Sequence, residues 1–304
     1  MSLRYLGVRL LGIVWVTVAA TATAWLIVHV LRPNLFPDES GPLLVRLYDY
    51  LVAAFLHSDF GQSRAVGGGD VFDMIVKGLP ADVALLAGGL LFGLAGGVVG
   101  GVISARRPRS AVARALDGLA MLAFCAPVYV VGLGLLLLLG DKIALLHVGL
   151  EIPTYYVEFR EDPLGWFGAM LTPWIVLGLP LAGMCLRVMK SSVVEVAHED
   201  FIRAAYGKGL SERQVLRRHA LPVALGPTAV LAGTAMPFLL TNLVLVEQVY
   251  SVPGVFKDFT ASIGTANYPL IFGMTAVGAL LIATANLVFD IFLLWLDPRV
   301  RSAS

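Results

Sequence analysis

The sequence predicts an all-α membrane protein with six transmembrane helices. Hydrophobic residues make up 58% of the 304 residues and charged residues only 14%, whereas soluble domains carry about 25% charged residues. The mean hydropathy is +0.82. Six uncharged stretches are long enough to cross about 30 Å of hydrocarbon as helices: Leu10–Leu31, Val83–Ala105, Leu119–Gly140, Phe167–Leu186, Leu221–Val246 and Tyr268–Phe289. This composition excludes a disordered chain, a basic nucleic-acid binder and a disulfide-stapled secreted module.

Three of these stretches have a feature of their own. The first follows Arg4 and Arg9 and contains Ala-Thr-Ala triplets typical of a cleaved signal peptide, but its apolar run continues to Leu31, which favours a retained anchor over residues 1–31. Pro127 predicts a kink in the third stretch, since proline removes a helix hydrogen bond. Pro173 and Pro180 make the fourth stretch the one in which we least expect a regular helix.

The positions of lysine and arginine predict that both termini are cytoplasmic. With the amino terminus inside, the inner segments hold 15 of the 22 basic side chains but 7 of the 21 acidic ones. The outer segments then hold the other 7 basic and 14 acidic side chains. Six spans with both ends inside is the arrangement consistent with these charges.

No segment between the spans is long enough for an ordinary soluble domain. Residues 32–82 form an extracytoplasmic segment with one amphipathic stretch, Leu43–His57, and a glycine-rich turn at Gly67–Gly69. Residues 141–166 form a second outer loop rich in acidic and aromatic side chains. This loop could hold a partner or a cationic solute, although a solvated outer cap is the favoured interpretation.

The second span carries glycine every four residues, at Gly89, Gly93, Gly97 and Gly101. Small residues at this spacing line one helix face and let two helix backbones approach closely in lipid. The face could slide during a conformational cycle or could pack statically. The sequence leaves both alternatives open.

The segment 187–220 is predicted to be a cytoplasmic pair of helices. Apolar residues at helical spacing indicate a helix over Val193–Lys208, and Gly207 and Gly209 are two candidates for the left-handed residue that ends it. A second helix follows. Ser211 and Gln214 have the spacing of a capping box, with Leu210 and Val215 as a hydrophobic staple, and Leu221-Pro222 opens the fifth span.

This helix pair is predicted to enter another protein and not to lie on lipid. Ala204 and Ala205 would leave a narrow face suited to a groove, and the charges of Glu199, Asp200 and Arg203 are mixed. A lipid-lying helix would instead carry lysine and arginine opposite large apolar side chains.

The same segment resembles the EAA motif of bacterial ABC importer permeases. That motif reads Glu-Ala-Ala, three residues, Gly, nine residues, Ile-any-Leu-Pro, and this chain has Arg203-Ala204-Ala205, Gly209 and His219-Ala220-Leu221-Pro222 at the same spacing. Arg203 replaces the glutamate, a familiar departure in the dipeptide/oligopeptide/nickel branch, and His219 replaces the isoleucine.

Five further stretches resemble that branch and extend the likeness over nearly the whole chain: Asp59-Phe60-Gly61-Gln62-Ser63, Leu79-Pro80, Ala126-Pro127, Glu247 through Pro253-Gly254, and Asn267-Tyr268-Pro269; Asp290 through Leu296-Asp297-Pro298-Arg299 closes the last span in the same way. Two features depart from the pattern. The outer segment after the first span is short, and Phe256 stands where the family often has glycine. Both lie on the side that would meet a substrate-binding protein, so they concern the identity of the solute and not the class of transporter.

The resemblance implies a type I ABC importer permease fold, with a transmembrane domain over 71–297 (spans 83–105, 119–140, 167–186, 221–246 and 268–296) and a coupling helix in 187–220. It implies residues that couple to an ATPase: Glu199, Asp200, Arg203, Ala204, Ala205, Lys208, Gly209, Ser211, Leu221 and Pro222. It also implies a turn facing a binding protein, at Glu247, Ser251, Pro253 and Gly254. Pro127, Asn286 and Asp290 are candidates for pathway or structural roles.

The implied partners are a second homologous permease, two ATPase subunits, an extracytoplasmic substrate-binding protein and membrane lipid, in the inner membrane of a prokaryote. The chain has no phosphate-binding loop, since Gly207-Lys208-Gly209 lacks the required frame and hydroxyl. ATP and Mg²⁺ would therefore sit on the partner ATPases, with no cofactor, metal or nucleic acid on this chain and no enzyme activity of its own.

Alternatives remain open for the cargo and for the class. Peptides are the cargo that fits the branch best, and nickel, glutathione or an opine-like solute are the next alternatives. An ion-driven secondary transporter would normally show internal repeats and ionisable residues at mid-membrane, which this chain lacks. A structural scaffold could carry the helix pair but would leave the other motifs unexplained.

Overall fold

The computed structural model describes residues 3–35, 41–64, 68–139 and 156–296. Within these ranges all regular secondary structure is helical, apart from one isolated β-bridge between Gln62 and Asp70. Gly67, Gly140, residues 141–155 of the second outer loop and the closing Asp297-Pro298-Arg299 lie outside the described residues. The helices are α1 (Leu3–Leu31), α2 (Leu43–Leu56), α3 (Val71–Arg106), α4 (Ala111–Cys125), α5 (Val128–Leu139), α6 (Pro163–Val196), α7 (Asp200–Gly207), α8 (Glu212–Val215), α9 (Leu221–Thr234), α10 (Met236–Tyr250), α11 (Phe259–Gly264) and α12 (Tyr268–Leu296).

The chain divides into two compact units. The first comprises Met1–Val83 with Pro253–Leu287, and the second comprises Ala84–Val252 with Val288–Ser304. The amphipathic stretch predicted over Leu43–His57 is confirmed as helix α2, which lies in the first unit.

Four helices are long and apolar enough to cross a membrane: Leu6–Leu31, Val71–Arg106, Pro163–Val196 and Tyr268–Phe292. Two bent helix pairs, α4 with α5 and α8–α9 with α10, pass the same test together. The described chain therefore has between four and six candidate membrane spans.

The bend between α4 and α5 is much sharper than the kink predicted at Pro127. The direction of the chain changes by 112° between the two helices. Ala126 is extended, with φ −76° and ψ 131°, because the proline ring disfavours helical geometry in the residue before it. Pro127 is thus correctly identified as the break, but a single kinked helix over Leu119–Gly140 is wrong.

The expectation for the fourth stretch is also wrong. The fourth stretch is regular, since α6 continues through Pro173 and Pro180 without interruption; buried helices tolerate proline where neighbours satisfy the freed carbonyls. The fifth stretch is broken instead, with α9 and α10 bent by 54° at Ala235. Pro237 lies two residues later, and a proline ring conflicts with the carbonyl four residues earlier in a continuous helix.

Within the second unit, the glycine face of α3 packs directly against α6. A Cβ placed on Gly101 would lie 2.6 Å from the Cβ of Met189, and one on Gly93 would lie 2.9 Å from the backbone oxygen of Gly178. The indole Nε1 of Trp174 donates to the Ala84 carbonyl at 2.9 Å. Close packing, the plainer of the two alternatives for this face, is what the structure contains.

Candidate functional site

The predicted helix pair is present as α7 and α8, which we call the helix pair (residues 200–220). It begins after a tight turn. The His198 and Glu199 amides donate to the carbonyls of Glu195 and Val196, at 3.0 and 3.1 Å. Glu199 is extended and precedes the first residue of α7. A single helix over Val193–Lys208 is therefore wrong, because Val193 belongs to the end of α6 and the turn separates it from α7.

The end of α7 follows the prediction for one of its two glycines. Gly209 has φ +80°, whereas Gly207 is the last helical residue of α7. The Gly209 amide donates to the Tyr206 carbonyl at 2.9 Å, and the Lys208 amide donates to the Ala204 carbonyl at 3.1 Å. Since a side chain strains the left-handed region, Gly209 sets the reversal of the chain.

The start of α8 confirms the capping box. The Ser211 backbone N–H donates to Oε1 of Gln214 at 3.0 Å, and the Ser211 hydroxyl donates to the same oxygen at 2.9 Å. Leu210 packs against the apolar cluster that contains Val215, as expected of a hydrophobic staple.

One apolar cluster fixes the helix pair to the rest of the second unit. Ile202 of α7 and Val215 of α8 are each only 2% exposed. They pack with buried residues of α6 and α9, which are Met189, Val193, Val196 and Ala224, and with half-buried residues of α3, which are Val98, Val102 and Ala105. The helix pair therefore has an apolar attachment to three long helices.

Apart from Ile202 and Ala205, the side chains of α7 are exposed, and two of them are aromatic. The exposed fractions of Phe201 and Tyr206 are 42% and 48%. Ala204 is exposed but Ala205 is buried in the cluster. The expectation that the two alanines share one narrow face is wrong, because adjacent helical residues are about 100° apart.

Charged groups on the helix pair are mostly at its surface. Asp200 and Arg203 are exposed and form a loose ion pair at 3.6 Å, and Arg203 also donates to the His198 carbonyl at 3.1 Å. Glu199 and Lys208 are exposed as well. Glu212 accepts from Arg106 at the end of α3, at 2.9 Å.

The last part of the helix pair is a π-turn over Leu216–Ala220, which leads into α9. The sequence analysis did not predict this π-turn. The Leu221 amide donates to the carbonyl of Leu216, five residues back. Leu221 packs against the apolar cluster and Pro222 lies exposed in the first turn of α9. Residues 212–234 thus run as one helix, from α8 through the π-turn into α9.

In the second unit, the predicted turn begins at a buried glutamate. Glu247 is 0% exposed, near the end of α10. The Val252 amide donates to its carbonyl at 3.1 Å, and Ser251 takes a left-handed conformation with φ 53°. Glu247 is therefore part of the packing that ends α10.

In the first unit, Pro253, Gly254 and the following Val255 lie against the start of α3. The Val255 amide donates to both carboxylate oxygens of Asp82, at 3.0 and 3.2 Å. A Cβ on Gly78 would come within 2.7 Å of the same amide nitrogen. The sequence analysis did not identify Asp82. Its position, one helical turn after Gly78 and directly before the uncharged stretch that begins at Val83, could have marked it as a candidate for a structural role.

Two further motif segments meet in the first unit. Asn267 is 1% exposed; its Nδ2 donates to the Ser63 hydroxyl at 2.8 Å, and its Oδ1 accepts from the Arg64 amide at 3.0 Å. Gly61, with φ +90°, lies against Pro269. The stretches around Asp59–Ser63 and Asn267–Pro269 therefore form one hydrogen-bonded assembly.

The remaining candidates do not form a cluster. Asn286 is exposed and Asp290 is half-buried, one turn apart on α12. Cys125 is exposed and Cys185 is buried, both as free thiols. In the described part of the chain, no group of three or more His, Cys, Asp or Glu residues could hold a metal ion.

Comparison with known proteins gives one family match and a set of similar curated proteins. The family model of the binding-protein-dependent transport system inner membrane component matches residues 97–302. A dipeptide transport system permease protein of Lactococcus lactis subsp. cremoris is 31% identical, over 89% of this chain and 88% of its own. An oligopeptide transport system permease protein of Bacillus subtilis is 30% identical over 81% and 77%. Another of Escherichia coli is 28% identical over 86% and 82%.

Proposed function

The chain belongs to the family of binding-protein-dependent transport system inner membrane components, and from this premise we propose that it is the permease subunit of an ATP-driven importer of dipeptides and oligopeptides. It is a transport subunit and not a catalytic enzyme. The peptide cargo is supported by the names of the relatives, which are dipeptide and oligopeptide permeases. Nickel or glutathione import has no comparable support.

We propose six membrane crossings, with each bent helix pair counted as one span and both termini in the cytoplasm. The charge distribution along the sequence supports this orientation. In this arrangement the helix pair lies in the cytoplasm, and the assembly of Ser63 and Asn267 lies outside, together with the turn at Pro253-Gly254.

The observation that carries the coupling proposal is the two-faced burial of α7. Ile202 and Ala205 are buried against α6 and α9, while the exposed face of α7 is flanked by Phe201 and Tyr206, which lie about 140° apart on either side of the buried residues. Exposed aromatic side chains beside charged ones are typical of the anchors that dominate protein interfaces. We propose that this face enters a cleft of an ATPase subunit.

Force would pass from α7 into the spans through packing and through one continuous helix. Displacement of α7 moves the apolar cluster, and residues 212–234 transmit that displacement without a hinge. Closure of two ATPase subunits around ATP and Mg²⁺ would thereby rock the spans between inward- and outward-facing states. The chain itself would bind neither nucleotide nor metal.

The proposed assembly also contains a second homologous permease and an extracytoplasmic peptide-binding protein. The turn at Ser251, Pro253 and Gly254 is the candidate contact with the binding protein. Its rigidity supports this role, since Asp82 fixes the adjacent Val255 amide and a preorganised loop loses little entropy on binding.

The test is the double variant Phe201→Ala/Tyr206→Ala, assembled with the partner subunits and reconstituted in proteoliposomes. Tyr48→Ala is the matched control, because Tyr48 is an exposed tyrosine (67%) on another short helix, α2. We expect the double variant to lose ATPase subunits on purification and to lose most peptide uptake, and the control to retain both. Undiminished ATPase binding by the double variant would contradict the coupling role of α7. Absence of peptide uptake by the intact assembly would contradict the cargo.

A further inference from the structure

Three arginines line a cavity of about 590 Å³ at the base of the helix pair. The cavity is bounded by Arg213, Arg217 and Arg218, together with Gln214. All four side chains are exposed. They lie on the helix that continues without a break into the apolar residues of α9.

The π-turn explains why three arginines share one side of this helix. In a regular α-helix, Arg217 would lie above Arg213, and Arg218 would point about 140° away from it. The hydrogen bond from the Leu221 amide to the Leu216 carbonyl spans five residues and widens the turn. Residues four and five positions after Arg213 then both lie near it.

Among the described residues, no acid lines the cavity. In the described residues, none of the three arginines forms an ion pair. The neighbouring acid, Glu212, is held by Arg106 through two hydrogen bonds of 3.1 and 2.9 Å. Gln214 uses its oxygen in the capping box, so its amide NH₂ is the group left to face a ligand.

We propose that this cavity, the arginine cavity, binds the phosphate of an anionic phospholipid headgroup. Guanidinium groups recognise phosphate oxygens in bidentate geometry, and basic clusters beside a membrane helix attract anionic lipid. The position at the first turns of a spanning helix places a bound phosphate at the level of the headgroups. This inference rests on the proposed orientation, in which the start of the continuous helix 212–234 lies at the cytoplasmic membrane surface, and not on the identity of the transported solute.

A lipid fits the cavity better than a protein partner does. Three of its four lining side chains are cationic and none is apolar, whereas the exposed aromatic residues Phe201 and Tyr206 belong to α7. Protein interfaces also use arginine, but beside aromatic and other apolar side chains that form the buried centre of the contact. The ATPase is therefore assigned to α7, and the lipid to the arginine cavity.

The test compares two triple variants of the full chain that lose the same charge. Arg213→Gln/Arg217→Gln/Arg218→Gln removes the cavity. Arg107→Gln/Arg109→Gln/Arg114→Gln removes three exposed arginines that the sequence places on the same side of the membrane. Binding is measured by titrating detergent-solubilised protein with fluorescent phosphatidylglycerol, with phosphatidylcholine, a zwitterionic lipid whose phosphate is balanced by its ammonium group, as the reference without net charge. Both variants are first checked for unchanged thermal unfolding.

We expect phosphatidylglycerol binding to weaken about fivefold per cavity arginine, and roughly a hundredfold in the triple variant. The control should change less than about threefold. The variant with three Arg→Lys substitutions at the cavity keeps the charge but loses the bidentate geometry, so it should bind at an intermediate level. Inorganic phosphate in a parallel titration should displace the lipid only weakly.

Three results would overturn the proposal. Equal loss in both triple variants would show a general charge effect and no site. Complete displacement of the lipid by inorganic phosphate at low concentration would identify free phosphate as the ligand. Unchanged lipid binding with loss of ATPase subunits in the cavity variant would assign these arginines to the ATPase.

Discussion

The backbone amide of Val255 donates to both carboxylate oxygens of Asp82, at 3.0 and 3.2 Å, with the aspartate fully buried. This contact joins residues 173 positions apart in sequence. It fixes the turn after Pro253-Gly254 to the first turns of α3. A buried carboxylate is costly unless it is hydrogen-bonded, so the amide and the acid stabilise each other's burial.

Replacing Asp82 with alanine should destabilise the protein by about 1–3 kcal/mol, because it leaves the buried Val255 amide without this acceptor. Asp82→Asn keeps one oxygen acceptor and should cost less. Thermal unfolding in detergent gives both values, and Asp73→Ala is the control, since Asp73 is exposed on the same helix. If Asp82→Ala and Asp73→Ala have the same unfolding temperature, the hydrogen bonds from the Val255 amide to Asp82 contribute nothing measurable to stability.

The contact of α3 with α6 predicts opposite outcomes for two adjacent glycines. A Cβ on Gly97 would lie 2.9 Å from the Ala182 carbonyl oxygen and in hard contact with the Cys185 side chain, whereas a Cβ on Gly96 would lie 3.7 Å from its nearest neighbour. Gly97→Ala should therefore destabilise by about 1–3 kcal/mol through overpacking. Gly96→Ala should change stability by less than about 1 kcal/mol. Unfolding by sodium dodecyl sulfate measures both, and equal values would mean that the helices separate to accept a methyl group.

The reversal after α7 predicts a second contrast between glycines. Gly209 has φ +80°, so Gly209→Ala should cost about 1–2 kcal/mol in backbone strain. Gly207 is helical with open space around its Cα, so Gly207→Ala should be neutral or slightly stabilising, given alanine's higher helix propensity. Thermal unfolding of the isolated chain separates the two cases. A destabilised Gly207→Ala variant together with an unaffected Gly209→Ala variant would indicate that Gly207, and not Gly209, is the left-handed residue that ends α7.

The helix pair shows how far local chemistry could be predicted. The capping box of Ser211 and Gln214 and the left-handed Gly209 follow from interactions within a few residues, and both are present. The turn at 197–199, and the burial of Ala205 and not Ala204, depend on what α7 packs against. That information resides in Met189, Val193 and Ala224, which are distant in sequence or in other helices.

Prolines illustrate the same limit within the apolar stretches. Pro127 and Pro237 stand at sharp breaks, yet Pro173 and Pro180 lie within a continuous helix. Each removes the same hydrogen bond, so the outcome depends on the surroundings and not on the residue. Pro173 and Pro180 are both buried in α6, and the helix continues through them. The position of Asp82 beside an uncharged stretch could have marked it as unusual, but its role as acceptor for the Val255 amide could not be predicted, because that amide is 173 residues away in sequence.

Two ion pairs of the second unit should differ in strength. Lys190 and Asp117 approach to 2.6 Å with side chains 28% and 38% exposed, whereas Arg106 and Glu212 are 2.9 Å apart and 46% and 64% exposed. Exposed pairs contribute about 0.2–1 kcal/mol, since water screens the charges. We expect a coupling near 1 kcal/mol for Lys190 with Asp117, which joins α6 to α4, and about 0.3 kcal/mol for Arg106 with Glu212.

Double-mutant cycles measure these couplings directly, with Lys190→Gln and Asp117→Asn in one cycle and Arg106→Gln and Glu212→Gln in the other. Thermal unfolding at low and high salt is the readout. Added salt should weaken the more exposed pair of Arg106 and Glu212 proportionally more, because mobile ions reach it more easily. Equal couplings in the two cycles, or a stronger one for Arg106 with Glu212, would show that burial does not govern the strength of these contacts.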